Sequence, residues 1–230
     1  MSTHTLNHLP TLAERPDSHS LDLMFILDTV CGGQTFQSRC KFIRNVIRLV
    51  EKETFAEEHL RVGVIPYGPH MHDRIPAARL SGKVNSAVRF MKSQTAHPGG
   101  TFEAAYEEAL YALYNVDWGP TTHRVLVTVG HRPPYPYNPW SRSAGDPLDC
   151  PNQQFCERNL DWRLLLPPLR SFLRLHSIVV ACPSTWGGDS VLTYTDEYAD
   201  YCWREIGYTS LLNFDSTIPG GVVRLIRELV

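Results

Sequence analysis

The run Leu21-Asp-Leu-Met-Phe-Ile-Leu-Asp28 constrains the fold more than any other segment of the chain. It is almost unbroken in apolar residues and ends on a carboxylate. A strand with one wet face alternates apolar and polar residues, whereas a run like this belongs to a strand covered on both faces, as in a parallel sheet flanked by helices. The rest of the chain supplies matching pieces. Leu60 to Tyr67 reads as a second strand closed by Gly68 and Pro69, Arg74 to Leu80 as a short edge strand, and Arg124 to Gly130 as the most β-branched strand. Ser177 to Cys182 and Thr209 to Phe214 complete a set of about six. Between them the spacing predicts helices. One runs from Ser38, as N-cap, to Glu53, with Phe42, Val46, Leu49 and Val50 on one stripe and Arg and Lys opposite. Others cover Gly82 to Thr95, Phe102 to Asp117 behind a Thr101 cap, Thr195 to Ile206 with Gly207 as a left-handed stop, and Val222 to Val230. A further helix is expected to break at Pro167-Pro168 and resume to Leu175. Strands alternating with helices imply right-handed crossovers and a doubly wound, mostly parallel, Rossmann-like α/β sheet.

Composition narrows the function. Among 230 residues, 22 are Lys or Arg and 24 are Asp or Glu, for a net charge of −2, and 43% are hydrophobic. This size fits one α/β domain, here 21–230 behind a polar leader at 1–20, with a Pro- and aromatic-rich insertion at about 132–158. Near-neutral charge argues against a nucleic-acid or anionic-membrane partner, both of which require concentrated positive charge. The leader lacks the basic and apolar regions of a secretory signal, and no apolar run approaches membrane-spanning length, so a cytoplasmic protein is expected. Its six cysteines are expected as reduced thiols, with Cys150 and Cys156 the one pair placed for a bridge or a metal.

In such sheets ligands bind beyond the carboxyl ends of the strands where the strand order reverses, which directs attention to the loops after Asp28, Tyr67 and Gly130. Three blocks on that rim carry a resemblance: Leu21 to Asp28 with its small-residue turn, Leu60-Arg-Val-Gly-Val-Ile-Pro-Tyr-Gly68, and Gly99-Gly-Thr-Phe-Glu-Ala105 leading to Arg124-Val-Leu-Val-Thr-Val-Gly-His-Arg-Pro-Pro134. From about Leu21 to Val230 the chain resembles a von Willebrand factor type A (vWA) domain. The resemblance implies a metal-ion-dependent adhesion site, where Mg²⁺ is held by an Asp-x-Ser-x-Ser loop, a Thr before a helix and an Asp after a later strand. The partner's carboxylate usually completes the coordination. Asp28 and Thr101 stand at two of these positions, but Val30 and Gly32 replace the serines, and His131 falls where Gly-Asp is expected. Mg²⁺ requires near-octahedral oxygen coordination, so a degenerate site without a bound metal is expected, a weakly held divalent ion at Asp28 and Thr101 being the alternative.

The expected function is therefore a non-enzymatic protein-protein interaction domain without a cofactor. It would recognise its partner through rim residues Val30, Gly32, Gly100, His131 and Arg132, and through Tyr135, Tyr137 and Trp140 of the insertion, because aromatics and Arg dominate interface energetics. Resemblance to bacterial cytosolic vWA proteins implies a scaffold role, with a MoxR-type AAA+ ATPase or a conflict-system component as partner. Asp28 also has an ordinary use, accepting hydrogen bonds from the Gly32-Gly33 turn. Three chemical alternatives stay open. His131 could serve Cys31 as a general base in an enzyme, which requires the two within hydrogen-bond reach. His70, His72, Cys150 and Cys156 supply zinc-type donors at an unfavourable spacing. A nucleotide site lacks its Gly-x-Gly-x-x-Gly.

Overall fold

The computed structural model describes residues 20–53, 59–69, 79–97, 104–119, 123–135, 156, 158, 160–181 and 192–230, with side chains excluded at 53 and 192–197. Five strands form one parallel sheet: β1 (Leu21–Asp28), β2 (Leu60–Tyr67), β3 (His123–Gly130), β4 (His176–Ala181) and β5 (Ser210–Asn213), in the order β2-β1-β3-β4-β5. Sequence order reverses at β1, so the switch point lies between the carboxyl ends of β1 and β3. The expected count of about six is corrected to five among the described residues. Most of the proposed edge strand at 74–80 lies outside them, and Ser81, immediately after it, forms a single antiparallel bridge with Val62.

Among the described residues six helices cover the two faces: α1 (Gly33–Glu53), α2 (Val84–Ser93), α3 (Tyr106–Leu113), α4 (Trp162–Ser171), α5 (Leu192–Ile206) and α6 (Pro219–Leu229). Every residue of β1 is buried, as its composition required. Leu21, Leu23, Phe25 and Leu27 pack with α1, α2 and α6, whereas Met24 and Ile26 pack with α3, α4 and α5. The period-2 alternation of a strand thus assigns one continuous apolar run to two separate cores.

Several helix boundaries differ from expectation for identifiable reasons. Helix α1 begins at Gly33, its first turn closed by Phe36 N donating to Gly32 O at 3.0 Å. Ser38 therefore lies inside the helix, where its hydroxyl donates back to Gln34 O rather than capping. The expected separation of faces also fails: Leu49 is only half-buried, and Arg39 shares the buried stripe with Phe36, Ile43, Val46 and Val50. Helix α3 starts at Tyr106 behind Ala105, shorter than the expected Phe102 to Asp117; Thr101 lies outside the described residues. Helix α4 runs through Pro167 and Pro168 without a break, capped by Asp161 Oδ1, which accepts from Arg163 N at 3.0 Å. The prolines remove amide donors from the carbonyls of Arg163 and Leu164 in the first turn. Leu164 is 72% exposed and Arg163 half-buried, so the helix is not left with freed carbonyls sealed in its core.

Two glycines are set by close approach. Gly207 ends α5 where a Cβ would come within 2.9 Å of the carbonyl oxygens of Trp203 and Ser210; crowding, not the expected left-handed backbone, demands it. At Gly130 a Cβ would lie 2.5 Å from the Tyr67 hydroxyl and 2.6 Å from Asp28 Cβ, so the ends of β1 and β3 meet only without a side chain. Among the described residues no helix is long and apolar enough to cross a membrane. Gly130→Ala is expected to lower stability by about 1–3 kcal/mol in urea denaturation, since β1 and β3 must separate to admit the methyl group. Gly82→Ala, where a Cβ meets nothing within 4 Å, is expected to change it by less than about 0.5 kcal/mol.

Candidate functional site at the strand switch point

Asp28 is fully buried at the end of β1, beside Gly130. Its Oδ1 accepts from Val30 N at 2.8 Å, which bends the chain out of the strand. The ordinary structural use expected of this carboxylate is present, with Val30 as the donor in place of the Gly32-Gly33 amides. Oδ2 accepts from the amides of His131 at 3.1 Å and Arg132 at 3.4 Å, joining the loop after β3 to the end of β1. Oδ2 also lies 3.1 Å from Arg39 Nη1, a guanidinium only 1% exposed. The same Nη1 donates to the Asp28 carbonyl at 3.0 Å. Burial alone would raise the Asp28 carboxyl, but hydrogen bonding from His131 and the Arg39 charge outweigh it and hold the group below its ordinary value.

His131 completes a three-residue network. Its Nδ1 stands 2.8 Å from Arg39 Nη2 and 2.9 Å from Asp28 Oδ2. A bare Nδ1 accepts from Arg39, whereas a protonated Nδ1 donates to Asp28, and one ring nitrogen makes only one of these bonds at a time. Arg132 is 4% exposed and turns inward, its Nε donating to Val30 O at 3.2 Å. Below the rim, Thr29 Oγ1 donates to Tyr67 O, Tyr67 Oη donates to Arg132 O, and Thr29 O accepts from His97 N. Tyr67, Tyr106 and Trp203 stack edge to face at centroid separations of 5.2 and 5.4 Å, forming a rigid floor.

A second buried carboxylate holds the roots of the insertion. Glu107 Oε2 accepts from Tyr135 N at 3.1 Å, and the Cys156 thiol shares a hydrogen bond with the same side chain. Next to it, Glu108 Oε1 lies 2.9 Å from Arg158 Nε. The start of α3 thereby fastens both ends of the 136–155 segment. Complete burial pushes Glu107 up to about 8, and burial also raises the Cys156 thiol. Tyr198 Oη donates to Pro134 O at 3.0 Å and supports this cluster from α5.

The structure separates the expected site residues into three groups. Asp28 and His131 are brought together, with Gly32 at the start of α1. Val30, Arg132 and Tyr135 are buried at 1%, 4% and 1% exposure, so they shape the rim from below and are corrected as direct partner contacts. Thr101, Gly100, Tyr137 and Trp140 lie outside the described residues, as do His70, His72 and Cys150 of the zinc alternative. Cys31 makes no hydrogen bond to His131. Burial raises its thiol, a tendency opposite to that of an activated nucleophile. Arg39 and Glu107 were not singled out from the sequence. Arg39 carried a signal, a cation at a core position of the α1 stripe, whereas Glu107 carried none, because α3 is buried on nearly every side.

The donors around Asp28 leave little for a divalent cation. Both Asp28 oxygens already accept backbone amides, residues 30 and 32 offer no side-chain oxygen, and a guanidinium occupies ion-pair distance from Oδ2. This set does not fit the oxygen-rich octahedron of Mg²⁺. Among the described residues no three His, Cys, Asp or Glu side chains converge on one point.

No family model matches the sequence, and no curated protein does. Solved structures do. The vWF domain of the type V pili tip protein Mfa5 from Porphyromonas gingivalis superimposes with a TM-score of 0.57 at 10% identity, over 92% of this chain and 94% of that one. The fold is that of a vWA domain. The SpRpn10 VWA domain also matches, with a TM-score of 0.48 at 11% identity over 91% of this chain and 95% of its own.

The buried charges set two expected outcomes. Arg39→Met is expected to cost about 3–5 kcal/mol in urea denaturation, because it strands the Asp28 carboxylate, and adding Asp28→Asn is expected to recover part of that loss in a double-mutant cycle. Glu107 binds its proton more tightly in the fold than at its ordinary value of 4.5. Its contribution is therefore complete below about pH 4.5 and is lost as pH rises toward about 8. Glu107→Gln is expected to flatten the urea midpoint against pH across that window.

Proposed function

We propose that this vWA domain is a protein-interaction module that recognises its partner without a bridging divalent cation. The observation that carries this is the Arg39 guanidinium, 3.1 Å from the Asp28 carboxylate and as deeply buried as it is. In a metal-dependent adhesion site the cation is exchangeable and leaves one position for the partner's carboxylate. Here the positive charge belongs to the chain, is tethered to α1, and is surrounded by backbone. It organises the loops after β1 and β3 but offers no open coordination position. Recognition then rests on the outer surface of the rim, with part-exposed His131, and on the 132–158 insertion, whose roots Glu107 and Glu108 hold. Long connections held at both ends on a rigid scaffold are a common way to present a binding surface. Tyr137 and Trp140 are the proposed anchors. A cytoplasmic scaffold role beside a MoxR-type AAA+ ATPase or a conflict-system component is the narrowest form of this proposal.

Titration with Mg²⁺ or Mn²⁺ is expected to give no heat in calorimetry and no rise in Tm. A site binding at one-hundredth of the added concentration would stabilise the fold by about 2.7 kcal/mol, which a melt detects easily. Sub-millimolar Mg²⁺ binding that disappears in Asp28→Asn would overturn the metal-free reading. Capture of a partner from lysate is expected to survive EDTA and to be lost when residues 137–154 are replaced by a short Gly-Ser link. Capture that requires Mg²⁺, or that is unchanged by the replacement, would refute this mode of recognition.

A further inference from the structure

The net charge of −2 conceals a segregation that becomes spatial only in the fold. No acidic residue occurs from 29 to 50 or from 74 to 102. These stretches contain the first eighteen residues of α1 and all of α2, which pack side by side on one face of the sheet. Between them lies a groove of about 250 Å³. It is lined by the apolar side chains of Phe36, Cys40 and Met91, by the neutral Gln37, and by three cations, Lys41, Arg44 and Lys92. Phe36 and Met91 are 8% and 1% exposed. The Cys40 thiol is pushed up to about 11 by burial, so it stays neutral and belongs to the apolar lining. Among the described residues none of the three cations pairs with a carboxylate. The Nε of Arg44 is buried without a hydrogen-bond partner. Further along the same helices, Arg48 and Arg89 are exposed.

We propose that the α1–α2 groove docks an acidic amphipathic peptide segment of a partner protein, separately from recognition at the rim. One apolar side chain enters on Phe36, Cys40 and Met91, and flanking carboxylates pair with Lys41, Arg44 and Lys92. The volume suits this occupant, since an apolar cavity of about 150 Å³ already accepts a benzene ring. The charge pattern selects its sign: a cationic segment meets three like charges with, among the described residues, no compensating carboxylate. Nucleic acid fits less well. Its binding grooves combine a cationic track with exposed rings for base stacking, whereas the one ring that lines this groove, Phe36, is buried, and the exposed ring of α2, Phe90, does not line it.

Fluorescence anisotropy on the full chain tests this with a short labelled peptide carrying glutamates around one central leucine. Three further probes accompany it: the same peptide with alanine for leucine, the same peptide with lysines for glutamates, and a labelled oligothymidylate. The leucine-glutamate peptide is expected to bind and to weaken with salt. The alanine peptide is expected to bind about tenfold more weakly, the minimum for losing one buried aliphatic side chain. The lysine peptide is expected not to bind. Lys41→Glu/Lys92→Glu, at two exposed positions, is expected to weaken the leucine-glutamate peptide at least about tenfold while leaving the circular dichroism and Tm unchanged. Equal binding of the leucine and alanine peptides would overturn the proposal, as would no binding of either. Oligothymidylate binding as tightly, and being lost in the same charge variant, would reassign the surface to nucleic acid.

Discussion

The buried ion pair between Asp28 and Arg39 is the interaction on which the carboxyl end of the sheet depends. A carboxylate at the end of a fully buried strand carries a large desolvation cost, and it remains ionised there only if a cation and several donors offset that cost. Asp28 has all of them: Arg39 from α1, the Val30 amide from its own loop, and the His131 and Arg132 amides from the loop after β3. One side chain thus joins the loops of β1 and β3 to the first helix, at the point where strand order reverses. Gly130 makes this possible by leaving room for Asp28 Cβ.

This arrangement sets what the switch point can hold. The vWA fold places its strand-end loops where a metal can be shared with a partner, a geometry that needs open oxygen ligands. Here the same position is closed by a guanidinium with fixed directionality, which bonds both the carboxylate and the Asp28 carbonyl. A tethered cation cannot be withdrawn by a chelator or supplied by a partner. In the proposed reading the functional surface shifts outward, to the part-exposed His131 and to the insertion whose roots Glu107 and Glu108 hold. The groove proposed as a docking site between α1 and α2 is a different kind of surface, set by charge segregation along the chain.

Much of the fold was legible because periodicity carries it. The β1 run, the β2 block and the β-branched β3 run appear at or within one residue of their expected bounds, since a strand buried on both faces admits few polar residues. Helix ends were less legible. Ser38 has the chemistry of a cap, yet the α1 amides found Gly32 O first, and Pro167-Pro168 has the chemistry of a break, yet the freed carbonyls belong to Arg163 and Leu164, on the outward side of the first turn of α4. At the site, Asp28 and His131 were legible from their places at strand ends. Arg132 and Tyr135 were misassigned to the surface, because Arg and Tyr near a rim read as contact residues until their neighbours are known.

The sequence by itself determined the two-faced burial of β1, the strand-helix alternation that makes the sheet parallel, and the absence of side-chain hydroxyls at positions 30 and 32. These are properties of local pattern and of residue identity, and no partner is needed to read them. Only the tertiary structure decided that Arg39 faces inward onto Asp28, that Glu107 holds both roots of the insertion, and that the acid-free stretches of α1 and α2 become one groove lined in part by cations. Each of these is a pairing between residues distant in sequence, or the sharing of a face by two helices. Its energy comes from burial and charge compensation at a contact, and neither exists until the chain has brought the partners together.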